Sequence, residues 1–241
     1  MYYYKSMMHT KWAKLKDKAY EKKVIEHSDQ LIVVSNSIKQ LMASKSKKIN
    51  PSKINIVANG FDKDDFKIDD IKKDDSFTIS YTGTITKDYP TDSLIKALIE
   101  TNSKINFTGQ ADELTKVNFE DVANFNNHVS HDDIIKVLLK SDLLIIIIPK
   151  IENNKGILTG KLFEYLGAKK PILCVGPTNG DAAQIIEECK AGKTFNYDDN
   201  KGISNFIKSC KEFNFKIDNN SSIVYSRDNL TKQISEIIEI I

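Results

Sequence analysis

Leu143-Leu144-Ile145-Ile146-Ile147-Ile148 runs its whole length without a polar side chain. A strand with one wet face alternates apolar and polar residues, whereas an uninterrupted run marks a strand covered on both faces in a parallel sheet. The run is far shorter than the ~20 residues that cross a bilayer. Outward from it, strand and helix patterns alternate from Phe77 onward. Strands are expected at 77–82, 105–108, 125–129, 143–148, 172–175 and 193–197. Helices fit near 91–101, 131–140, 160–167, 180–189, 200–211 and 228–240. Short connections between such elements imply right-handed crossovers and an α/β fold, a Rossmann-like doubly wound parallel sheet. Ligands on these sheets bind beyond the carboxyl ends of the strands. The turns after 82, 108, 129, 148 and 175 therefore share one rim.

Thr159-Gly160-Lys161-Leu162-Phe163-Glu164-Tyr165-Leu166-Gly167 should begin a helix on that rim, closing at Gly167 before Pro171 opens the next strand. Lys161 and Glu164 stand at i and i+3, on neighbouring faces of the first turn. A helix start leaves N–H groups unpaired and carries partial positive charge, which suits a phosphate. Lys161 adds a mobile point charge for the same anion, and Glu164 could accept the hydroxyls of a ribose. An amphipathic helix whose Lys and Glu face water explains the same residues without a ligand. Tyr81-Thr82-Gly83-Thr84-Ile85-Thr86-Lys87 is a strand entering a glycine turn, where Gly83 allows close approach of a ligand and Lys87 could meet a phosphate.

Several chemistries are absent. Neither the dinucleotide fingerprint G-x-G-x-x-G nor the P-loop is present. No Ser/His/Asp or Cys/His nucleophile arrangement can be assembled. His128 and His131 make an H-x-x-H without a third ligand, so no metal site is expected. Ser130 and Asp133 instead form a capping box. Asp62-Lys63-Asp64 sits in an aspartate-rich connection, where chance accounts for its D-x-D spacing. The net charge is +2, and Arg227 is the one arginine, which argues against nucleic acid. Cys174, Cys189 and Cys210 lack metal spacing and fit a reducing compartment. Met1-Tyr2-Tyr3-Tyr4-Lys5 has no apolar signal core, so a cytoplasmic protein is expected.

Residues 5–26 look helical and basic, with Lys11, Lys14 and Lys18 on one side and Trp12 and Leu15 in an imperfect apolar stripe. That helix could lie on an anionic membrane at the inner face, although a solvated face explains it more simply. A strand at 31–34, a helix capped by Ser35, a strand at 54–57 and a charged linker from Lys63 to Asp75 follow.

The sequence resembles family-4 retaining glycosyltransferases. Glu21, Ser28-Asp29-Gln30-Leu31-Ile32-Val33-Val34-Ser35 and Lys53-Ile54-Asn55-Ile56-Val57-Ala58-Asn59-Gly60-Phe61-Asp62 carry the resemblance. So do Tyr81-Thr82-Gly83-Thr84, Ser141-Asp142-Leu143-Leu144, and Lys161 to Gly167 with Lys170-Pro171-Ile172-Leu173. The resemblance implies a GT-B arrangement, with residues 51–241 as the nucleotide-sugar-binding domain and residues 1–50 as a remnant of the acceptor-type domain. It implies a nucleotide-sugar donor, a glycan or lipid-linked acceptor, retention, no cofactor and no metal. Glu164 would hold the ribose, and Thr159, Gly160, Lys161 and Leu162 would supply the first turn that meets the diphosphate. Gly83 and Lys87 would lie beside it, and Ser130 and His131 against the base. Two positions depart from the family pattern: Gly156 stands where a sugar-contacting glutamate is usual, and Thr84 where an arginine is usual. Most of the acceptor domain is missing, so a separate acceptor-domain polypeptide or a homodimer would complete the site. The strand at 31–34 is then expected to join the donor sheet, to pair with another chain or to lack order. Alternatives are a non-catalytic nucleotide- or partner-binding module and an epimerase-like enzyme of the same architecture.

Overall fold

The computed structural model describes residues 10–68, 71–72, 76–218 and 220–239. Residues 5–9 of the expected first helix, part of the 63–75 linker and Ile241 lie outside that set.

Six strands form the large sheet: β3 (Ile79–Thr82), β4 (Ile105–Thr108), β5 (Ala123–Asn126), β6 (Leu143–Ile147), β7 (Ile172–Val175) and β8 (Gly192–Phe195). All are parallel, in the order β5-β4-β3-β6-β7-β8. The order reverses between β3 and β6, a switch point of the kind that opens a ligand crevice in doubly wound sheets.

Every residue of β6 is buried, as its unbroken apolar run requires. Leu144 and Ile146 pack on one face, under α5 (His131–Lys140), α6 (Gly160–Ala168) and α7 (Asp181–Glu188). Leu143, Ile145 and Ile147 pack on the other, under α3 (Asp92–Glu100) and α8 (Asn200–Lys211). Full burial stabilises each of these side chains by about 1.5–3 kcal/mol, so one strand anchors both helical layers. A short helix, α4 (Glu113–Asn118), was not expected; it packs near Phe119 and is capped by Asp112.

The N-terminal part comprises α1 (Lys11–His27), β1 (Leu31–Val33), α2 (Asn36–Ser44) and β2 (Ile54–Ile56). Here the strand at 31–34 departs from expectation. It neither joins the large sheet nor lacks a partner in its own chain; β1 pairs in parallel with β2 in a separate two-stranded sheet. The crossover through α2, capped by Ser35, returns the chain alongside in the same direction, which satisfies one edge of β1. Residues 54–56 thus belong structurally with the smaller sheet. That unit docks on the large one through Asp181, whose carboxylate accepts from the Ser37 N–H at 3.2 Å and the Ser37 hydroxyl at 2.9 Å. Asp181 is 7% exposed and lies in the first turn of α7, while Ser37 lies in the first turn of α2. One carboxylate therefore faces two positive helix ends, a stabilising placement.

As far as Phe66, the chain after β2 packs on the rest of the molecule. Phe61 is buried, and a 3-10 turn at Asp64–Phe66 brings Phe66 edge-on to it at 6.0 Å. Both rings sit on α6 at Gly167, where an added Cβ would lie 2.4 Å from Phe66 and 2.8 Å from Phe61. This also corrects the expected helix end: α6 continues to Ala168 and closes at Lys169 in the left-handed region. Gly167 is needed for ring packing rather than as a cap. The last helix, α9 (Arg227–Ile238), follows a backbone link in which Phe61 N–H donates to the Tyr225 carbonyl and Arg227 N–H to that of Phe61. Of its apolar residues Leu230 is buried and Ile238 is exposed.

Gly167→Ala should destabilise the fold by about 1–3 kcal/mol, the usual range for overpacking. Urea unfolding of mutant and parent would measure it; equal midpoints would show that the rings move aside freely.

Candidate functional site

β3 and β4 end side by side in two matching turns, Thr82-Gly83 and Thr108-Gly109. Gly83 N–H donates to the Thr108 carbonyl at 2.8 Å, and Gly109 N–H to that of Asn126 at 3.1 Å. Both glycines have positive φ, +106° and +136°. A Cβ on Gly109 would stand 2.4 Å from the Gly83 carbonyl oxygen, so this turn requires glycine. The turns form the floor of a cavity of about 330 Å³ lined by Thr82, Gly83, Thr108, Gly109, His128, Val129, His131, Ile134, Lys161 and Glu164.

The start of α6 forms the opposing wall. Long helical side chains point back toward the N-terminus, and Lys161 does so, onto the end of β3. Its Nζ donates to the Tyr81 hydroxyl at 2.6 Å and lies 3.8 Å from the ring centroid. Tyr81 passes its own proton to the Thr84 carbonyl at 2.8 Å, so one phenol fixes both the ammonium and the turn after Gly83. Burial raises the Tyr81 phenol well above its ordinary range. One helical turn on, the Tyr165 hydroxyl accepts from Thr82 N–H at 3.1 Å and pairs with the Thr82 hydroxyl at 3.2 Å. Burial pushes Tyr165 up to about 12, with the Thr82 contacts opposing. These two bonds bolt α6 to the strand end.

Burial lowers the Lys161 ammonium to about 8, and the neighbouring Glu164 offsets part of that. Glu164 itself makes no hydrogen bond or ion pair among the described residues, although it is part-buried in the cavity wall. The site thus holds a desolvated cation and an acceptor without a donor, separated by one helical step.

The expected site residues divide accordingly. Gly83, His131, Lys161 and Glu164 line one cavity. Ser130 does not line it; it caps α5, bonding Asp133 through both partners of a capping box. His131 also reaches Asp65 in the connecting segment, Nε2 to Oδ2 at 3.1 Å. Thr159 and Gly160 stand at the entrance to α6. The Thr159 hydroxyl is buried without a partner among the described residues, and the Cβ position of Gly160 faces open space. The Leu162 side chain is fully buried in the core, and its N–H donates to the Thr159 carbonyl at 3.1 Å. Lys87 is exposed and is not among the lining residues; its N–H donates to the Asp112 carboxylate at 2.8 Å. Gly156 is buried in a 3-10 turn and presents no side chain. Among the described residues no group of three or more His, Cys, Asp or Glu is placed to hold a metal.

Sequence reasoning missed Tyr81, Thr108, Gly109 and Tyr165. The signal was available: an aromatic-Thr-Gly triplet ends two adjacent strands, at 81–83 and 107–109, and Tyr165 follows Lys161 at i+4.

No family model and no curated protein matches the chain. Solved structures do match in fold. A glycosyltransferase from Rickettsia africae superposes with a TM-score of 0.71 at 17% identity, covering 93% of this chain and 67% of that one. Anabaena HepE, solved in complex with UDP-glucose, gives 0.71 at 14% identity, with 94% and 68% covered. Sucrose-phosphate synthase from Thermosynechococcus elongatus gives 0.72 at 12%, with 98% and 64% covered. The chain therefore spans about two thirds of the length of these structures. At such identities the likeness establishes the fold, the Rossmann-like domain of GT-B glycosyltransferases.

The depressed Lys161 has a consequence for stability. Between about pH 8 and the usual lysine value of 10.5 the unfolded chain holds a proton that the folded chain has released, so stability rises with pH across that window. Below it the buried charge costs about 3 kcal/mol. Lys161→Met should therefore raise stability near neutral pH, and its advantage should shrink toward about pH 10. Urea unfolding at both pH values tests this; a destabilised variant, or a difference independent of pH, would contradict the buried-cation assignment.

Proposed function

We propose that this chain is the donor-binding part of a glycosyltransferase that moves a sugar from a nucleotide-sugar to a glycan or lipid-linked acceptor. The observation that carries the reading is the Lys161 ammonium, part-buried and held over the Gly83 turn by Tyr81, with the Glu164 carboxylate, which has no hydrogen-bond partner among the described residues, in the same cavity. The first turn of α6 would receive the diphosphate through its unpaired N–H groups, and Lys161 would neutralise it. Glu164 would accept the two ribose hydroxyls, and the 128–131 segment would meet the base. A fixed cation beside the leaving diphosphate stabilises the charge that develops as the glycosidic bond breaks. The reading includes transfer with retention and charge neutralisation by protein groups in place of a metal. Residues 51–241 would carry the donor site and residues 1–50 a remnant of the acceptor-type domain, completed by a separate acceptor-domain polypeptide or a second copy of the chain. Support comes from the switch-point position of the cavity and from the UDP-glucose bound by HepE.

A non-catalytic nucleotide-binding module is the second reading, and Gly156 favours it, since that position supplies no carboxylate to a transferred sugar.

Glu164→Ala should weaken binding of nucleoside diphosphates by about 1.5–3 kcal/mol, the range for hydrogen bonds to a charged group. The fold should persist, because the carboxylate has no hydrogen-bond partner among the described residues to lose. A thermal-shift and calorimetry panel of uridine, guanosine and adenosine diphosphates with their sugar conjugates would show it. Unchanged affinity in the mutant would remove Glu164 from the site. Tight donor binding without sugar transfer to any supplied glycan would select the second reading.

A further inference from the structure

α1 carries twice as many lysines as acids. It carries six lysines, at 11, 14, 16, 18, 22 and 23, and three acids, Asp17, Glu21 and Glu26. Asp17 and Glu21 share the inward stripe with Ala13 and the buried Ile25, at successive i+4 positions. Glu21 pairs with Lys45, and Glu26 accepts from the Ser46 hydroxyl, in the turn after α2. Two of the three acids are therefore engaged by the rest of the molecule.

The opposite face holds Trp12, Leu15 and Ala19 at i, i+3 and i+7, with Glu26 in line at the far end of the helix, where it pairs with Lys22 at 3.8 Å. Trp12 is 66% exposed and Leu15 is 69% exposed. By the helical period Lys16 and Lys23 border this stripe on one side, and Lys11, Lys18 and Lys22 on the other. Lys16 lies over the Trp12 ring at 4.1 Å. Two large apolar side chains are held in water between rows of cations, on a helix of 17 residues capped by Thr10. Among the described residues no helix is long and apolar enough to cross a membrane. Over the first turns of α1, from Lys11 to Ala19, this is the arrangement of a helix lying in an interface, apolar stripe down and lysines flanking, although the exposed Tyr20 and Val24 lie on other faces.

We propose that the outward face of α1 docks on an anionic lipid bilayer, with Trp12 and Leu15 entering the headgroup region and the flanking lysines pairing with lipid phosphates. Charge complementarity selects this occupant: the acids that would repel anionic headgroups lie on the far side or are already bonded. Each lysine near such a surface adds to the attraction, which fades beyond a Debye length of about 8 Å at physiological salt.

Trp12 is the one tryptophan of the chain, so its emission reports on this face directly. The full chain would be mixed with phosphatidylcholine vesicles, with and without phosphatidylglycerol, and followed by emission and co-sedimentation. A blue shift and pelleting with the anionic vesicles alone, reversed by high salt, are expected. Leu15→Glu, and separately Lys16→Glu with Lys23→Glu, should each lower partitioning by roughly tenfold or more while leaving the thermal midpoint unchanged. Absence of the shift at low salt, equal binding to neutral vesicles, or parental binding by Leu15→Glu would overturn the proposal. So would a lipid-free blue shift that grows with protein concentration, which would make the face a contact between copies of the chain.

Discussion

Double-sided burial of β6 is the constraint from which the rest follows. A strand with no polar face must be covered twice, so the chain has to lay helices on both sides of the sheet. Covering both sides with short connections forces parallel strands and right-handed crossovers. Parallel strands in turn present all their carboxyl ends to one rim. The cavity beside Gly83 and Gly109 is therefore a product of packing before it is a product of chemistry.

On that rim α6 is held from two directions. Lys161 and Tyr165 fix its start to the end of β3, while Phe61 and Phe66 seat its last turn against the connecting segment. His131 ties the same segment to α5 through Asp65. A helix clamped at both ends keeps its first turn in one place without help from a ligand. That rigidity holds a desolvated ammonium where water alone would not leave it, a local cost tolerated by a core this extensive.

Much of this was legible in residue pattern. β4, β7 and α5 lie where periodicity and caps placed them, because each combines an apolar face with an unambiguous stop. The start of α6 was equally clear. What the pattern could not show is contact across long separations. The pairing of β1 with β2 depends on strands of three residues, too short for alternation to register. Gly167 looked like a helix end because a glycine before a proline usually is one; its role against Phe61 and Phe66 exists only in three dimensions. Lys161 and Glu164 are legible from their spacing as a pair on the first turn of α6 that could meet a diphosphate and a ribose. Spacing does not show that Lys161 folds back onto Tyr81 while Glu164 is left without a hydrogen-bond partner among the described residues. Lys87 was placed by sequence proximity to Gly83, which cannot show that its N–H is held by Asp112.

The double hydrogen bond from Ser37 to Asp181 sets how the two parts of the molecule can shift against each other. Pulling them apart at that point would strand a shielded carboxylate without its donors, and an unsatisfied charge of this kind is expensive. Asp181 accordingly fixes the starts of α2 and α7 to each other, so that a single shielded acid sets the spacing of the two sheets at this point.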